Sequence, residues 1–504
     1  MRGPPRSAIG NTDQVTALVE QAEVDGVRVF SGASLGRAYG AIMFRVGHSD
    51  ESLPRRGITH LVEHLALHPQ DRRSVDFNGY VDLTTTVFHC QADSLAQVGE
   101  FLTATCRTLT ALPFVRMEKE AQVLRAEAAQ RGGSVIGTAL WLRFGPTAFG
   151  TVEYEELFLH QPARQLVQAH VARHFTRGNA VVILSGPPPS TLDLGSLPPG
   201  GRMPVPISLP VEQRYPAWTF AKGSAVSITF VLPREPAVPA AMFVISSVLK
   251  HLLRETLAIS YDVSATSHVL SNTHAHHVLR ADCQLADADE VAARIQTELS
   301  RIIYDGCSPD DLAEYQHQRR RANGQPGIEL GIAHFLANEW LYGDESADFA
   351  ALDAEAEALT VHDVQRVTRL INDTALWLVP ESAPITDRRV HLVAQWSDWA
   401  VHGTRYEHRR SQANDAQQDD SQLIAGHEGV TLGVPQRGYV SVSFDRLAAC
   451  KRWADGARTM YGRDGFTLSI HPDDWVGGDQ VVALIDRQVP HDFVIVSADR
   501  FRPA

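Results

Sequence analysis

Residues 57–68 read Gly-Ile-Thr-His-Leu-Val-Glu-His-Leu-Ala-Leu-His and bring His60, Glu63, His64 and His68 close together. On a helix, His60 and His64 are four positions apart and share a face, with Glu63 beside it. Two imidazoles so placed can hold a divalent ion, and the carboxylate between them can take a proton from water at that ion. The spacing H-x-x-E-H suits zinc, which accepts histidine and carboxylate ligands and works in catalysis when one position stays open. The competing account is an ordinary amphipathic helix, because 22 histidines supply short patterns by chance. A third ligand has to come from elsewhere in the chain. The stretch Glu118–Glu127 offers Glu120 and Glu127, seven apart and so on one helical face; its plain alternative is a solvated acidic stripe. His68 would close the open position and is not assigned as a ligand. The histidines of residues 272–279, "NTHAHHVL", alternate along a strand with no acidic ligand nearby, and are expected at a surface or interface.

These side chains need a scaffold, and 504 residues exceed what one core organises. The 46 basic and 59 acidic residues leave a net charge of −13, which gives nucleic-acid binding no electrostatic support. No apolar run approaches the roughly 20 residues that span a bilayer, so no membrane association is expected. Residues 1–12 read as a loose N-terminus without a secretory apolar core. Five scattered cysteines without CxxC pairing fit a reduced, cytoplasmic protein.

Strand-like stretches such as "YGAIMFRVG" alternate with helical ones such as "SLAQVGEFLTATCRTLTAL" over residues 13–190, which close on a helix and a buried strand, "HVARHFTRGNAVVILSGP". After a Pro- and Gly-rich loop (187–206), residues 205–385 repeat that order and close on "LTVHDVQRVTRLINDTALWLVP". The repetition predicts a duplicated domain. Residues 386–422 are expected to be a linker, because 407–422 are polar and without apolar period. In 423–504, "IAGHEGVTL" and "MYGRDGFTL" share a pattern suited to hairpin turns, and "GGDQVVALIDRQV" is helix-like. A small β-rich accessory module is predicted there.

Four stretches together resemble the pitrilysin/insulinase family of zinc metallopeptidases, which includes the mitochondrial processing peptidases. They are "GITHLVEH", "NGYVDLTTTVFHCQA", "EAQVLRAE" and "LLRETLAISYDVSA", in family order over about residues 15–380. The resemblance implies one zinc ion per chain held by His60, His64 and Glu127, with Glu63 as general base. Glu120 would orient a ligand, and Asn78 would sit beside the substrate cleft. Arg254 and Tyr261 would hold the peptide, with Tyr261 also donating to the oxyanion. The chain departs from the family in a shortened interval between His64 and Asn78, and in Gly79, where the family favours alanine; the latter is expected to be a mild change.

The fold class implied is α+β, two similar α/β sandwich domains forming one half of a clamshell, plus the β-rich C-terminal module. The zinc-binding domain would be residues 13–190, and the domain carrying Arg254 and Tyr261 residues 205–385. The function implied is a zinc-dependent endopeptidase cutting extended peptides in a closed chamber, with processing of a leader-bearing precursor one such role. One half implies a partner, either a second copy or a related subunit, whose Arg254 and Tyr261 complete the site. The alternatives are a non-catalytic peptide-binding subunit of a heterodimeric peptidase, and a scaffold driven by the tail.

Overall fold

The computed structural model describes residues 19–69, 75–130, 134–208, 210–211, 213–409, 421–498 and 500–501. Residues 1–12, 70–74 of the shortened interval and most of the polar stretch 407–422 therefore lie outside the described residues.

The first half runs β1 (Val19–Val24), β2 (Val27–Gly32), β3 (Ala38–Phe44), α1 (Ile58–Leu67), β4 (Asp76–Val81), β5 (Thr86–Ala92), α2 (Leu95–Thr110), α3 (Met117–Ala128), α4 (Val135–Phe144), α5 (Arg164–His174) and β6 (Ala180–Leu184). Its strands make a six-stranded sheet in the order β1-β2-β6-β3-β5-β4. The second half runs β7 (Ala217–Phe220), β8 (Ala225–Pro233), α6 (Ala237–Lys250), β9 (Val263–Val269), β10 (His274–Asp282), α7 (Ala288–Asp305), α8 (Pro309–Asn323), α9 (Ile328–Tyr342), α10 (Phe349–Glu357), α11 (Val361–Thr374) and β11 (Leu376–Val379). With β12 (His391–Leu392) its sheet order is β12-β7-β11-β8-β10-β9.

The duplication is visible in the pairing. From β2 the first sheet reads first, last, second, fourth, third strand, and from β7 the second reads the same. In each, the first and last strands are parallel and the remaining pairs antiparallel. Both closing strands are buried throughout, as the apolar runs at 180–184 and 376–379 predict.

A strand buried on both faces needs cover on both. On one face of the first sheet, Ala180, Val182 and Leu184 of β6 pack against Ile58, Leu61 and Leu65 of α1 and Phe101 of α2. The other face presents Val181 and Ile183 and is covered by Ile332, Ala333, Ala337 and Leu341 of α9, a helix from the second half. The exchange is reciprocal. Trp377 and Val379 of β11 face α6, α7 and α11, whereas Leu376 and Leu378 pack on Ala139 of α4 from the first half. Arg143 of α4 pins this contact by donating to the carbonyls of Thr229 (2.7 Å) and Thr374 (3.0 Å). Burial of a large apolar side chain contributes about 1.5–3 kcal/mol, so the traded helices lock the halves together.

Two expectations are corrected. α6 continues through a π-helical turn (His251–Thr256), and Ala237–Thr256 is long and apolar enough by length and composition to cross a membrane. The polar residues interrupting it hide this in a search for an unbroken run. Here Val238, Ala241, Ile245 and Leu249 are core residues of the second sheet. The span 386–422 is also not simply a linker. His391–Leu392 extends the second sheet beside β7, and β13 (Thr404–Glu407) pairs with the module's first strand.

The module contains β14 (Gln422–Gly426), β15 (Gly429–Val434), β16 (Gly438–Ser443), β17 (Leu447–Arg452), β18 (Arg458–Gly462), β19 (Thr467–Ile470), α12 (Gly478–Gln488) and β20 (Val494–Val496). Its sheets are ordered β13-β14-β15-β16 and β19-β18-β17-β20, around a core that includes Leu423, Val442, Met460 and Ile485. Both predicted hairpins form, β14–β15 around His427-Glu428 and β18–β19 around Asp464-Gly465.

Candidate metal centre and cleft

α1 carries the histidines because its apolar residues fall at helical spacing. Ile58, Leu61, Val62 and Leu65 enter the core, which turns His60, Glu63 and His64 toward a cleft. The N-terminus of α1 is held by an upstream carboxylate rather than by its own first turn. Glu51, buried, accepts from the backbone N–H groups of Gly57 (2.9 Å) and Thr59 (2.8 Å) and from Arg56 Nη1 (3.1 Å). A carboxylate there satisfies orphan donors and complements the helix dipole. Gly57 has φ +97°, and a Cβ on it would lie 2.7 Å from Glu156 Cβ, so both conformation and space require glycine.

His60 and His64 set their rings edge to face, with centroids 5.1 Å apart. Glu63 Oε2 lies 3.8 Å from His60 Nε2 and 3.9 Å from His64 Nε2. From α3, Glu127 Oε2 approaches His64 Nε2 at 3.9 Å. The four side chains line a cleft of about 370 Å³ together with His48 and with Asn78 and Gly79 of β4.

Both Nδ1 atoms are turned away from the cleft. His60 Nδ1 is 2.9 Å from Glu156 Oε1, and His64 Nδ1 is 3.4 Å from Glu120 Oε2. A carboxylate at Nδ1 keeps the proton there and aims the Nε2 lone pair at the cleft, the arrangement that supports metal-binding imidazoles. Glu120 Oε1 is itself held by Arg116 Nη2 at 3.1 Å, and His68 Nδ1 lies 4.0 Å from the same oxygen. Burial, followed by the neighbouring His60, pushes His64 below the usual imidazole pKa, against the pull of Glu120 and Glu127. The neutral form, the one that ligates a metal, is thereby favoured. Glu63 is 5% exposed, and burial raises its carboxyl to about 7; His60 opposes this and Glu127 adds to it.

Gly79 changes the expectation attached to it. A Cβ there would stand 2.6 Å from Glu63 Oε1 and 2.9 Å from Leu67 Cδ1. The absent methyl is where the Glu63 carboxylate sits, so alanine here is not a mild change.

Arg254 and Tyr261 do not join this cleft within the chain. Arg254 lies in the π-helical turn and stacks over the Tyr261 ring at 5.1 Å, and Tyr261 is 76% exposed. Asp282 Oδ1 fixes their loop by accepting from Ser260 Oγ (2.9 Å) and from the N–H groups of Tyr261 and Asp262 (2.8 Å each). The pair forms an outward-facing unit.

Of the histidines of 272–279, His274 is exposed as expected, and the other two are placed differently. His276 and His277 are buried, not at the surface. His277 stacks on Phe230 at 5.2 Å with Nδ1 2.8 Å from Ser267 Oγ, on the face toward α6, and His276 points to the opposite face near Arg143 of α4. The second face of the sheet is closed by the exchanged helix, which pattern reading along one strand does not foresee. Glu51 and Glu156 were missed for a related reason: neither has a sequence interval that ties it to the motif.

No family model matches the sequence, and no curated protein matches it. Solved structures do match in fold. The peptidase M16 inactive domain from Pseudomonas fluorescens aligns with a TM-score of 0.58 at 15% identity, over 73% of this chain and 99% of that one. A protease from Helicobacter pylori aligns with a TM-score of 0.59 at 16% identity, over 72% and 99%. Pitrilysin aligns with a TM-score of 0.53 at 15% identity over 75% of this chain, which spans 46% of pitrilysin's length. Across about three-quarters of its length, and with the C-terminal module added, the chain has the fold of M16 peptidases.

Proposed function

We propose that this chain is a zinc-dependent endopeptidase acting on peptides in an extended conformation, with one ion per chain held by His60, His64 and Glu127. The observation that carries this reading is the convergence of both Nε2 atoms and Glu127 on the cleft, with a carboxylate behind each imidazole. Two neutral imidazoles and one carboxylate, with a side left open to the cleft, fit zinc in a catalytic setting. A bound zinc ion would supply Lewis acidity toward the scissile carbonyl and lower the pKa of water to about 7.

The chain's own groups have the remaining work. Glu63, central to the cluster, accepts the proton from the attacking water and delivers it to the leaving nitrogen. β4 ends its sheet among the described residues, so it can receive an extended peptide as an added strand, with Asn78 beside it. Arg254 and Tyr261, exposed and outside the lining of this chain's cleft, suit a role across an assembly with a second copy or a related subunit. There Tyr261 would donate to the carbonyl oxygen as charge develops on it.

The second reading, a non-catalytic peptide-binding subunit, is favoured by the inactive domain among the similar structures. Metal analysis separates the two. Protein purified without chelator should carry about one equivalent of zinc per chain. Less than about a tenth of an equivalent would leave the peptidase reading without its cofactor. A further expectation concerns Gly79→Ala: the methyl displaces the Glu63 carboxylate and lowers kcat/KM by about 10- to 100-fold, with zinc content unchanged. Unchanged kcat/KM would show that Glu63 does not need its observed position.

A further inference from the structure

The C-terminal module lies outside the family resemblance, yet it touches the segment that supports His60. Along residues 154–157 the side chains divide between two directions. Glu156 turns inward to His60 Nδ1. Its neighbours turn toward the module: Tyr154 packs edge to face on Tyr461 of β18 with ring centroids 5.5 Å apart, and Glu155 forms an ion pair with Lys451 of β17. Leu157 is buried with Ala448, Ala449 and Ile495 of β17 and β20. Leu53, two residues from the α1-capping Glu51, enters the same apolar cluster. The two supporting segments are also tied to each other, with Phe158 N–H donating to Arg56 O at 3.0 Å and Arg56 Nη1 3.6 Å from Glu156 Oε1.

We propose that the module is a positioning element of the metal centre: Lys451, through Glu155, holds the 154–157 segment so that Glu156 keeps His60 aimed at the cleft. Lys451 is 2% exposed and its ammonium also lies over the Trp453 ring at 3.9 Å, so its direction is set by the module's own packing. Glu155 answers to that charge: His160 first, then Lys451, holds its carboxyl at about 2 against the effect of burial. Misplacing a carboxylate behind a metal-binding histidine typically weakens metal affinity 10- to 100-fold.

This inference rests on the zinc reading above, and the test separates their failures. Zinc affinity is measured by chelator competition on the full chain for wild type, Lys451→Met, Lys451→Arg, Glu155→Gln, Glu156→Gln and the Lys451→Met/Glu156→Gln double variant. Lys451→Met is expected to weaken zinc about 10-fold, Lys451→Arg to restore most of it, and the double variant to be no weaker than Glu156→Gln alone. Glu155, half exposed, tolerates Gln and provides the same test should Lys451→Met fold poorly. Wild-type affinity in both Lys451→Met and Glu155→Gln, or full additivity with Glu156→Gln, overturns the inference and leaves the zinc reading standing. Absence of zinc binding by the wild type overturns both.

Discussion

On the proposed zinc-peptidase reading, replacing Glu63 with Gln is expected to lower peptide cleavage by about 10²–10⁴-fold while zinc content stays at the wild-type level. The side chain is isosteric and 5% exposed, so the cleft keeps its shape; what disappears is the capacity to accept a proton. Glu63 is the carboxylate at the centre of the cluster, with its oxygen 3.8 Å and 3.9 Å from the two Nε2 atoms. Glutamine cannot take a proton from water or pass one to a leaving amine. The substitution also has a stability signature in metal-free protein. Burial raises the Glu63 carboxyl from its ordinary value to about 7, so the folded state favours the proton-bound form, and that contribution is lost as pH rises from about 4.5 through 7. A neutral glutamine is spared this loss, so the metal-free variant at pH 8 melts no lower than wild type. Equal turnover by wild type and Glu63→Gln on a quenched peptide library would assign the cleavage to another group or another protein.

Without metal, the protein is expected to lose stability as pH falls from about 6.5 toward 4. Three buried histidines, His174, His276 and His277, and the half-buried His170 drive this, two in each half. Burial, and then neighbouring positive charge, lowers His174 and His277 to about 4, and His170 and His276 lie well below the usual value. The sign follows from linkage. Below pH 6.5 the unfolded chain protonates these imidazoles and the folded chain does not, so unfolding takes up protons and stability rises with pH. Each such group changes stability by about 1.4 kcal/mol per pH unit across the window. Buried carboxylates raised by the same desolvation, Asp50, Glu51 and Glu63, pull the other way. The consequence reaches α1, since His170 Nε2 lies 3.0 Å from Thr59 Oγ1. Thermal melts at pH 7, 6 and 5 are expected to show Tm falling, with net proton uptake on unfolding near pH 5. His277→Gln should reduce that uptake by about one proton. A Tm that is flat or rises between pH 7 and 5 would mean that these imidazoles are not held neutral.

The parts of the site legible in the sequence are those that covalent geometry brings together. His60, Glu63 and His64 lie within one helical turn or so, and Glu120 and Glu127 lie two turns apart on α3. Helical periodicity puts each group on one face whatever surrounds it. The duplicated order of elements, the two buried closing strands and the module's hairpins are likewise local patterns of period and turn chemistry. Tertiary structure alone decided the rest. Glu156 reaches His60 across 96 positions of chain, and no interval of residue types encodes that approach. Gly79 meets Glu63 because β4 lies under α1. His276 and His277 are both buried because each sheet takes its second cover from the opposite half, through α4 and α9. Arg254 and Tyr261 keep their spacing of seven yet do not line this chain's cleft, since spacing along the chain says which residues travel together and not what they meet. A ligand set on one helix is determined by periodicity; the groups that aim it are determined by packing.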